Sequence, residues 1–264
     1  MDSDLELALR LADTADAITL DRFRAADLRV TRKPDRTPVT DADTAAEDAI
    51  RRTLAAERPD DAVLGEEGGG GVPESGRGWV LDPIDGTKNF SRGMPVWGSL
   101  IALAVDGEPV VGVASAPALG RRWWAARGAG AWTTDAPGAP PRRITVSGVT
   151  DLADAYVSTT DITTFAELGR REDYLRLVDS CWESRAFGDF WQHCLVAEGV
   201  LDLAVDVIAN TWDLAALLPI LAEAGGALTD LAGVATPAGG DGIASNGRLH
   251  DDALAIIGRE KRNP

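Results

Sequence analysis

The sequence predicts an α/β (α+β) protein of layered helices and mixed, largely antiparallel sheets. Three observations predict it. The chain opens with Ala- and Leu-rich amphipathic stretches at helical spacing. Three strand-like runs then follow closely: Gly98–Val105, Val110–Ala116 and Arg122–Ala126. Breaks at Asp106-Gly107 and Ala116-Pro117 separate them, which reads as an antiparallel meander. The second half alternates helix and strand, and this mixture packs as layers, not as a doubly wound sheet.

The elements are expected in this order. Residues 4–25 form an amphipathic helix, and residues 31–40, with two prolines and mixed charge, form a loop. Thr40 or Asp41 caps a second helix that runs to about Glu57. Ala62-Val63-Leu64 is a short strand ending at Gly65-Glu66-Glu67, and residues 68–78 are a Gly-rich surface loop. Trp79-Val80-Leu81 is a buried strand that leads into Asp82-Pro83-Ile84-Asp85-Gly86-Thr87. After the meander, the Pro- and Ala-rich residues 134–143 form a seam. Asp189–Gly199 is helical, Val200–Val205 strand-like, and Asp213–Ala224 helical up to Gly225-Gly226. A single domain over 1–264 is expected, with halves 1–140, carrying the acidic motifs, and 141–264.

Composition excludes several functions. A net charge of −16 repels nucleic acid and anionic membranes, so neither is expected as a partner. A phosphate ligand would then need a local positive source. Cys181 and Cys194, with only two histidines in the chain, make no metal framework. His193 lies in an apolar helical stretch and reads as a satisfied core residue. The N-terminus lacks the features of a signal peptide, and no apolar run approaches the ~20 residues that span a bilayer. A cytoplasmic location is expected.

Five acidic residues sit at element boundaries, where side chains from distant segments converge. Asp41 opens a helix, Glu66 ends a strand, Asp82 and Asp85 flank a Pro turn, and Asp213 opens a helix. Singly, each has an ordinary reading as an N-cap, a turn or a solvated loop. Gathered in a cleft, they would repel unless a cation joined them. Carboxylates, a Thr hydroxyl and a backbone carbonyl are hard ligands for Mg²⁺ or Mn²⁺. A bridging Asp82 would hold two ions about 3.5–4 Å apart, the arrangement for in-line displacement at phosphorus. Gly86-Thr87-Lys88-Asn89 would offer backbone N–H groups to the phosphate.

Other phosphatase chemistries fail on the residues. A cysteine phosphatase needs Arg six positions after Cys, but Cys181 meets Phe187 and Cys194 meets Val200. Asp82 and Asp85 are not spaced as Asp-x-Asp. Neither a nucleotide-type phosphate loop nor a Gly-x-Ser-x-Gly elbow is present.

Gly65-Glu66-Glu67, Asp82-Pro83-Ile84-Asp85-Gly86-Thr87, and Trp212-Asp213-Leu214-Ala215-Ala216 followed by Glu223-Ala224-Gly225-Gly226 resemble the inositol monophosphatase family in order and spacing. The resemblance covers nearly the whole chain. It implies a layered αβαβα sugar-phosphatase-like fold, Mg²⁺ dependence with two to three ions per site, inhibition by Li⁺, and a homodimer. By position, Glu66 and Asp82 bind the first ion with the Ile84 carbonyl and Thr87. Asp82, Asp85 and Asp213 bind the second, and Asp41 and Glu66 reach a third. Thr87 with Asp41 activates the attacking water. The backbone amides of Gly86 and Thr87 hold the phosphate, and Lys33 lies in a loop that closes over the site.

Arg185-Ala186-Phe187-Gly188-Asp189 matches the segment that lines the alcohol side in this family, where Asp85 and Asp213 also face substrate. Inositol phosphatases usually have a small residue where Asp189 stands, and Asp206 falls where relatives use Glu. Two acids near the leaving group favour a cationic alcohol. With Arg121-Arg122-Trp123-Trp124, this segment is similar to the histidinol-phosphatase branch, which implies an Mg²⁺-dependent phosphomonoesterase acting on histidinol phosphate. An inositol- or sugar-phosphate phosphatase and a catalytically silent relative are the alternatives.

Overall fold

The computed structural model describes residues 2–34 and 37–258. Helix α1 (Asp2–Arg22) leads to strands β1 (Val30–Arg32) and β2 (Pro38–Thr40), an antiparallel ribbon where a loop was expected. Asp35 and Arg36, within that stretch, lie outside the described residues. Helix α2 (Asp41–Glu57) is capped by Thr40 in a capping box with Asp43. Strands β3 (Ala62–Gly65), β4 (Gly69–Gly70) and β5 (Arg77–Asp85) follow, then helix α3 (Thr87–Ser91).

The expected meander is present as β6 (Gly98–Val105), β7 (Glu108–Ala116) and β8 (Arg121–Ala126). It continues into β9 (Ala131–Thr134) and β10 (Arg142–Ile144), which pair antiparallel. The Pro- and Ala-rich stretch expected as a seam is therefore a hairpin loop, and the chain leaves the first sheet only after Ile144.

The second half contains β11 (Tyr156–Thr159), α4 (Ile162–Glu167), α5 (Arg171–Asp179), β12 (Glu183–Arg185), α6 (Asp189–Ala197) and β13 (Leu203–Asp206). Then come α7 (Thr211–Leu214), α8 (Leu217–Glu223), β14 (Ala227–Thr229), β15 (Gly242–Ser245) and α9 (His250–Ile257). The helix expected over Asp213–Ala224 is thus two short ones. Pro219 has no N–H to donate to the Ala215 carbonyl, which interrupts the ladder while Ala215 and Ala216 keep helical dihedrals.

The first sheet runs β10-β9-β8-β7-β6-β5-β3-β4 and is antiparallel except at β3–β5. The second runs β12-β11-β13-β15-β14 and is mixed. Residues alternate between the faces of the first sheet. Trp79, Leu81, Ile101 and Leu103 pack with Leu7, Leu11 and Ile50 from α1 and α2. Val80, Leu100 and Trp123 pack on the other face with Phe190, Leu195, Leu217 and Ile220 from α6 and α8. That middle layer also meets Ala204, Leu228 and Ala244 of the second sheet. Phe165, Leu177 and Ile257 cover the outer face of the second sheet from α4, α5 and α9. The result is the expected αβαβα stack.

Close contact between layers sets the site. A Cβ at Gly112 of β7 would lie 2.0 Å from the Ala216 carbonyl oxygen, so only glycine lets the α7–α8 segment, and Asp213 with it, sit on the sheet. Among the described residues no helix is long and apolar enough to cross a membrane.

Candidate active site

The centre of the site is a bulge. In the β5–β6 pairing, Asp82 faces Leu100 but Asp85 faces Gly98, so three steps along β5 are matched by two on β6. Pro83 lacks a ladder donor, and the extra residue re-aims the strand so that both acids serve one point. Asp82 is 2 % exposed, and its Oδ1 accepts from the Ile84 N–H at 3.0 Å. The Phe190 N–H, in the first turn of α6, donates to Asp85 Oδ2 at 2.5 Å. Asp213 is held by the Asn210 N–H at 2.7 Å, as the third residue of a capping box on α7. Oxygens of Asp82, Asp85 and Asp213 lie within 4.8 Å of one another.

These carboxyls are driven toward their neutral forms. Burial, then the charges of Glu66, Asp85 and Asp213, push the Asp82 pKa well above the ordinary value. Burial, then Asp189 and Asp213, do the same to Asp85. Burial lifts Asp213 to about 7 against the restraining hydrogen bonds from Asn210, with Glu66 and Asp206 adding to the rise. A cation would relieve all three, and a set of hard oxygen donors, Asp82 buried and Asp85 and Asp213 half-buried, fits Mg²⁺. Lys33 already meets part of this demand. Its Nζ lies 2.6 Å from Glu66 Oε1 and 2.7 Å from Glu67 Oε1. Burial disfavours the Lys33 charge, but Glu66 and Glu67 outweigh it and raise its pKa above the ordinary lysine value.

Asp41 is not beside Thr87. Its Oδ2 accepts from Arg22 at 3.0 Å and from Arg29 at 3.4 Å; burial opposes its charge, but the two arginines lower its pKa. Asp43 takes the position expected for it. Thr87 Oγ1 lies 3.2 Å from Asp43 Oδ1 and 2.9 Å from the Ile84 carbonyl oxygen. Burial raises Asp43 to about 6, against hydrogen bonds from Thr40, and Glu66 adds to the rise. The spacing Asp41-Ala42-Asp43 was the available signal, since it offers two acids on opposite sides of one helix start. Gly86 leads into α3 with φ 87°, a left-handed conformation that favours glycine.

Beyond the carboxylates lies a cavity of about 420 Å³ whose lining includes Asp85, Lys88, Asp189, His193, Asp206 and Asp213. Asp189 Oδ2 accepts from Asn89 Nδ2 at 3.0 Å. Burial, then the nearby Asp206 charge, raises Asp189 to about 6, while Lys88 and His193 oppose the rise. Asp189 and Asp206 are thus brought to the same cavity as Asp85 and Asp213. Arg185 is not; it is half exposed, pairs with Glu183 at 2.6 Å and lies 5.7 Å from the Tyr156 ring centroid. His193 is 1 % exposed, as a core residue should be, yet it borders the cavity and its Nε2 lies 2.8 Å from Asp206 Oδ2.

Comparison with known proteins agrees with this geometry. The family model described as the inositol monophosphatase family matches residues 1–262. A histidinol-phosphatase of Mycobacterium tuberculosis is 56 % identical over 254 residues, covering 96 % of this chain and 97 % of its own. A histidinol-phosphatase of Streptomyces coelicolor is 50 % identical, with 96 % of each chain covered. Among solved structures, the Thermotoga maritima IMPase superposes with a TM-score of 0.84 at 30 % identity, over 97 % of each chain. An inositol monophosphatase from Zymomonas mobilis gives 0.83 at 34 % identity, over 97 % of this chain and 98 % of its own. Carboxylate cluster, layered fold and full-length similarity lead to one conclusion: the chain belongs to the inositol monophosphatase family.

Proposed function

We propose that the protein is an Mg²⁺-dependent phosphomonoesterase that hydrolyses L-histidinol phosphate to L-histidinol and phosphate, a step of histidine biosynthesis. The observation that carries this reading is a single cavity whose lining includes Asp85 and Asp213 of the acidic cluster together with Asp189 and Asp206. A phosphate suits Asp85 and Asp213 only with a cation present. Asp189 and Asp206 suit an alcohol that carries positive charge, as histidinol does through its ammonium and imidazole groups. The relatives named histidinol-phosphatase support the same substrate.

Asp82, Asp85 and Asp213 would hold one ion, and Glu66, Asp82, the Ile84 carbonyl and Thr87 another. Asp43 takes the place expected of Asp41 beside Glu66 at a third. When bound, Mg²⁺ supplies charge neutralisation at the phosphoryl oxygens and a water acidic enough to attack at neutral pH. Thr87 Oγ1 has one proton and two acceptors in reach. Turned toward Asp43, it leaves a lone pair to orient the water, with Asp43 as the proton acceptor behind it. The N–H groups of Gly86 and Thr87 steady the phosphate. Water adds to phosphorus as its proton passes by way of Thr87 to Asp43, the ester P–O bond breaks, and the leaving oxygen takes a proton from solvent as the alcohol departs toward Asp189 and Asp206. The protein is also a homodimer in this reading, supported by Trp182, 70 % exposed beside edge strand β12.

The test compares kcat/KM for L-histidinol phosphate and myo-inositol 1-phosphate at equal Mg²⁺, with a metal-free control. A clear preference for histidinol phosphate is expected. Preference for inositol phosphate would move the protein to the other branch, and release of no phosphate from either would end the enzymatic reading.

A further inference from the structure

Asp206 is held by three donors. Thr160 Oγ1 donates to Oδ1 at 2.6 Å, and Gln192 Nε2 donates to Oδ2 at 2.8 Å. His193 Nε2 stands 2.8 Å from the same Oδ2. An ionised carboxylate only accepts, so the ring nitrogen facing it carries the proton. The other ring nitrogen, Nδ1, is buried without a hydrogen-bond partner. His193 thus adds a third hydrogen bond to the Asp206 carboxylate from inside the fold.

The same network reaches Asp189. Its N–H donates to Thr160 Oγ1 at 3.0 Å, and Gln192 is itself oriented by Ser158, whose Oγ donates to Gln192 Oε1 at 2.9 Å. An apolar side chain at position 193 would fill the interior without orphaning a polar atom. The visible return for burying a histidine there is its contact with Asp206.

We propose that His193 is a positioning residue for substrate selection: with Gln192 and Thr160 it locks the Asp206 carboxylate in the cavity wall, where that carboxylate receives the cationic group of the departing alcohol. This rests on the reading of the substrate given above. It assigns His193 no contact with substrate and no part in the attack on phosphorus.

The experiment uses the Mg²⁺-loaded enzyme and two probes. One is the kcat/KM ratio of L-histidinol phosphate to p-nitrophenyl phosphate, which has no cationic group. The other is inhibition of p-nitrophenyl phosphate hydrolysis by free L-histidinol. In His193→Asn the ratio should fall about tenfold, through KM, and the histidinol Ki should rise by a similar factor. His193→Gln, whose longer side chain carries a donor amide out toward the place of Nε2 where that of Asn falls short, should recover part of both. Thr160→Val removes a different donor from Asp206 and should show the same split, even if the histidine variants do not fold. An unchanged ratio and Ki in a folded His193→Asn, or equal losses on both substrates, would overturn the inference while leaving the substrate reading intact. A wild type that neither prefers histidinol phosphate nor binds histidinol would overturn that reading and the inference with it.

Discussion

Thr87 Oγ1 lies 3.2 Å from Asp43 Oδ1, whereas Asp41, two residues earlier, accepts from Arg22 at 3.0 Å. Two residues on an α-helix differ by about 200° in direction, so both cannot face the same site. The helix start turns one acid toward Thr87 and the other toward Arg22 and Arg29.

The two should separate cleanly on substitution. Asp43→Asn is expected to lower kcat by about 10²–10⁴, the usual range for a positioned general base, which is its proposed role. Asp41→Asn should keep kcat within a few-fold and lower Tm slightly, as its arginine contacts go. Steady-state kinetics with thermal melts on both variants checks this, and the reverse pattern would restore Asp41 to the site.

Neutralising a metal-cluster acid should have opposite effects on catalysis and on metal-free stability. Asp85→Asn takes away one carboxylate of the proposed cation site, so kcat should fall by about 10³ or more. It also removes one of several mutually repelling buried charges, and its remaining oxygen can still accept from Phe190. Without Mg²⁺ the variant should melt higher than wild type; with Mg²⁺ the order should reverse, because ion binding to the native state stabilises wild type more. Melting curves with and without EDTA give both comparisons.

The raised carboxyl groups imply a specific pH window. Asp43 and Asp189 titrate at about 6 and Asp213 at about 7 when folded, against an ordinary value of 3.8. Between about pH 4 and 7 the native state therefore holds protons that the unfolded chain has released. Their contribution to stability is fully present below pH 4 and is lost as pH rises through 6 to 7. Metal-free wild type should lose stability relative to Asp213→Asn across that window. Urea titrations of both proteins from pH 4 to 8 measure the difference, and parallel curves would contradict the assignment.

Away from the site, Glu198 ties the first sheet to α6. It is 3 % exposed, accepts from Trp123 Nε1 at 2.6 Å, pairs with Arg121 at 2.9 Å and also contacts Arg142. Glu198→Ala would leave Trp123 Nε1 without its acceptor and take one partner from Arg121 and Arg142, which keep Asp135. The expected cost is about 2–3 kcal/mol, below the full value for a buried pair because both arginines are partly exposed. Glu198→Gln keeps an acceptor for Trp123 and should lose less in the same urea unfolding experiment.

The meander was legible because its strands are short, mostly apolar runs that end at Asp106-Gly107 and Ala116-Pro117. The α2 start was legible to within one residue, Thr40 or Asp41, and the capping box with Asp43 settles it on Thr40. The hairpin loop at 134–143 was not, since prolines and alanines read the same way in a long turn and in a seam. Pairing with β9 decides between them, and that is a contact between segments.

The sequence by itself determined the layered α/β class, the run Asp82-Pro83-Ile84-Asp85-Gly86-Thr87, and the acids that accompany it at Glu66 and Asp213. Local rules suffice there, because periodicity, prolines and glycines act within a few residues. Only the tertiary structure decided that Asp43 and not Asp41 meets Thr87, that Arg185 turns away, and that His193 braces Asp206. Those outcomes depend on the direction a side chain takes from its helix or strand and on what another layer places opposite it.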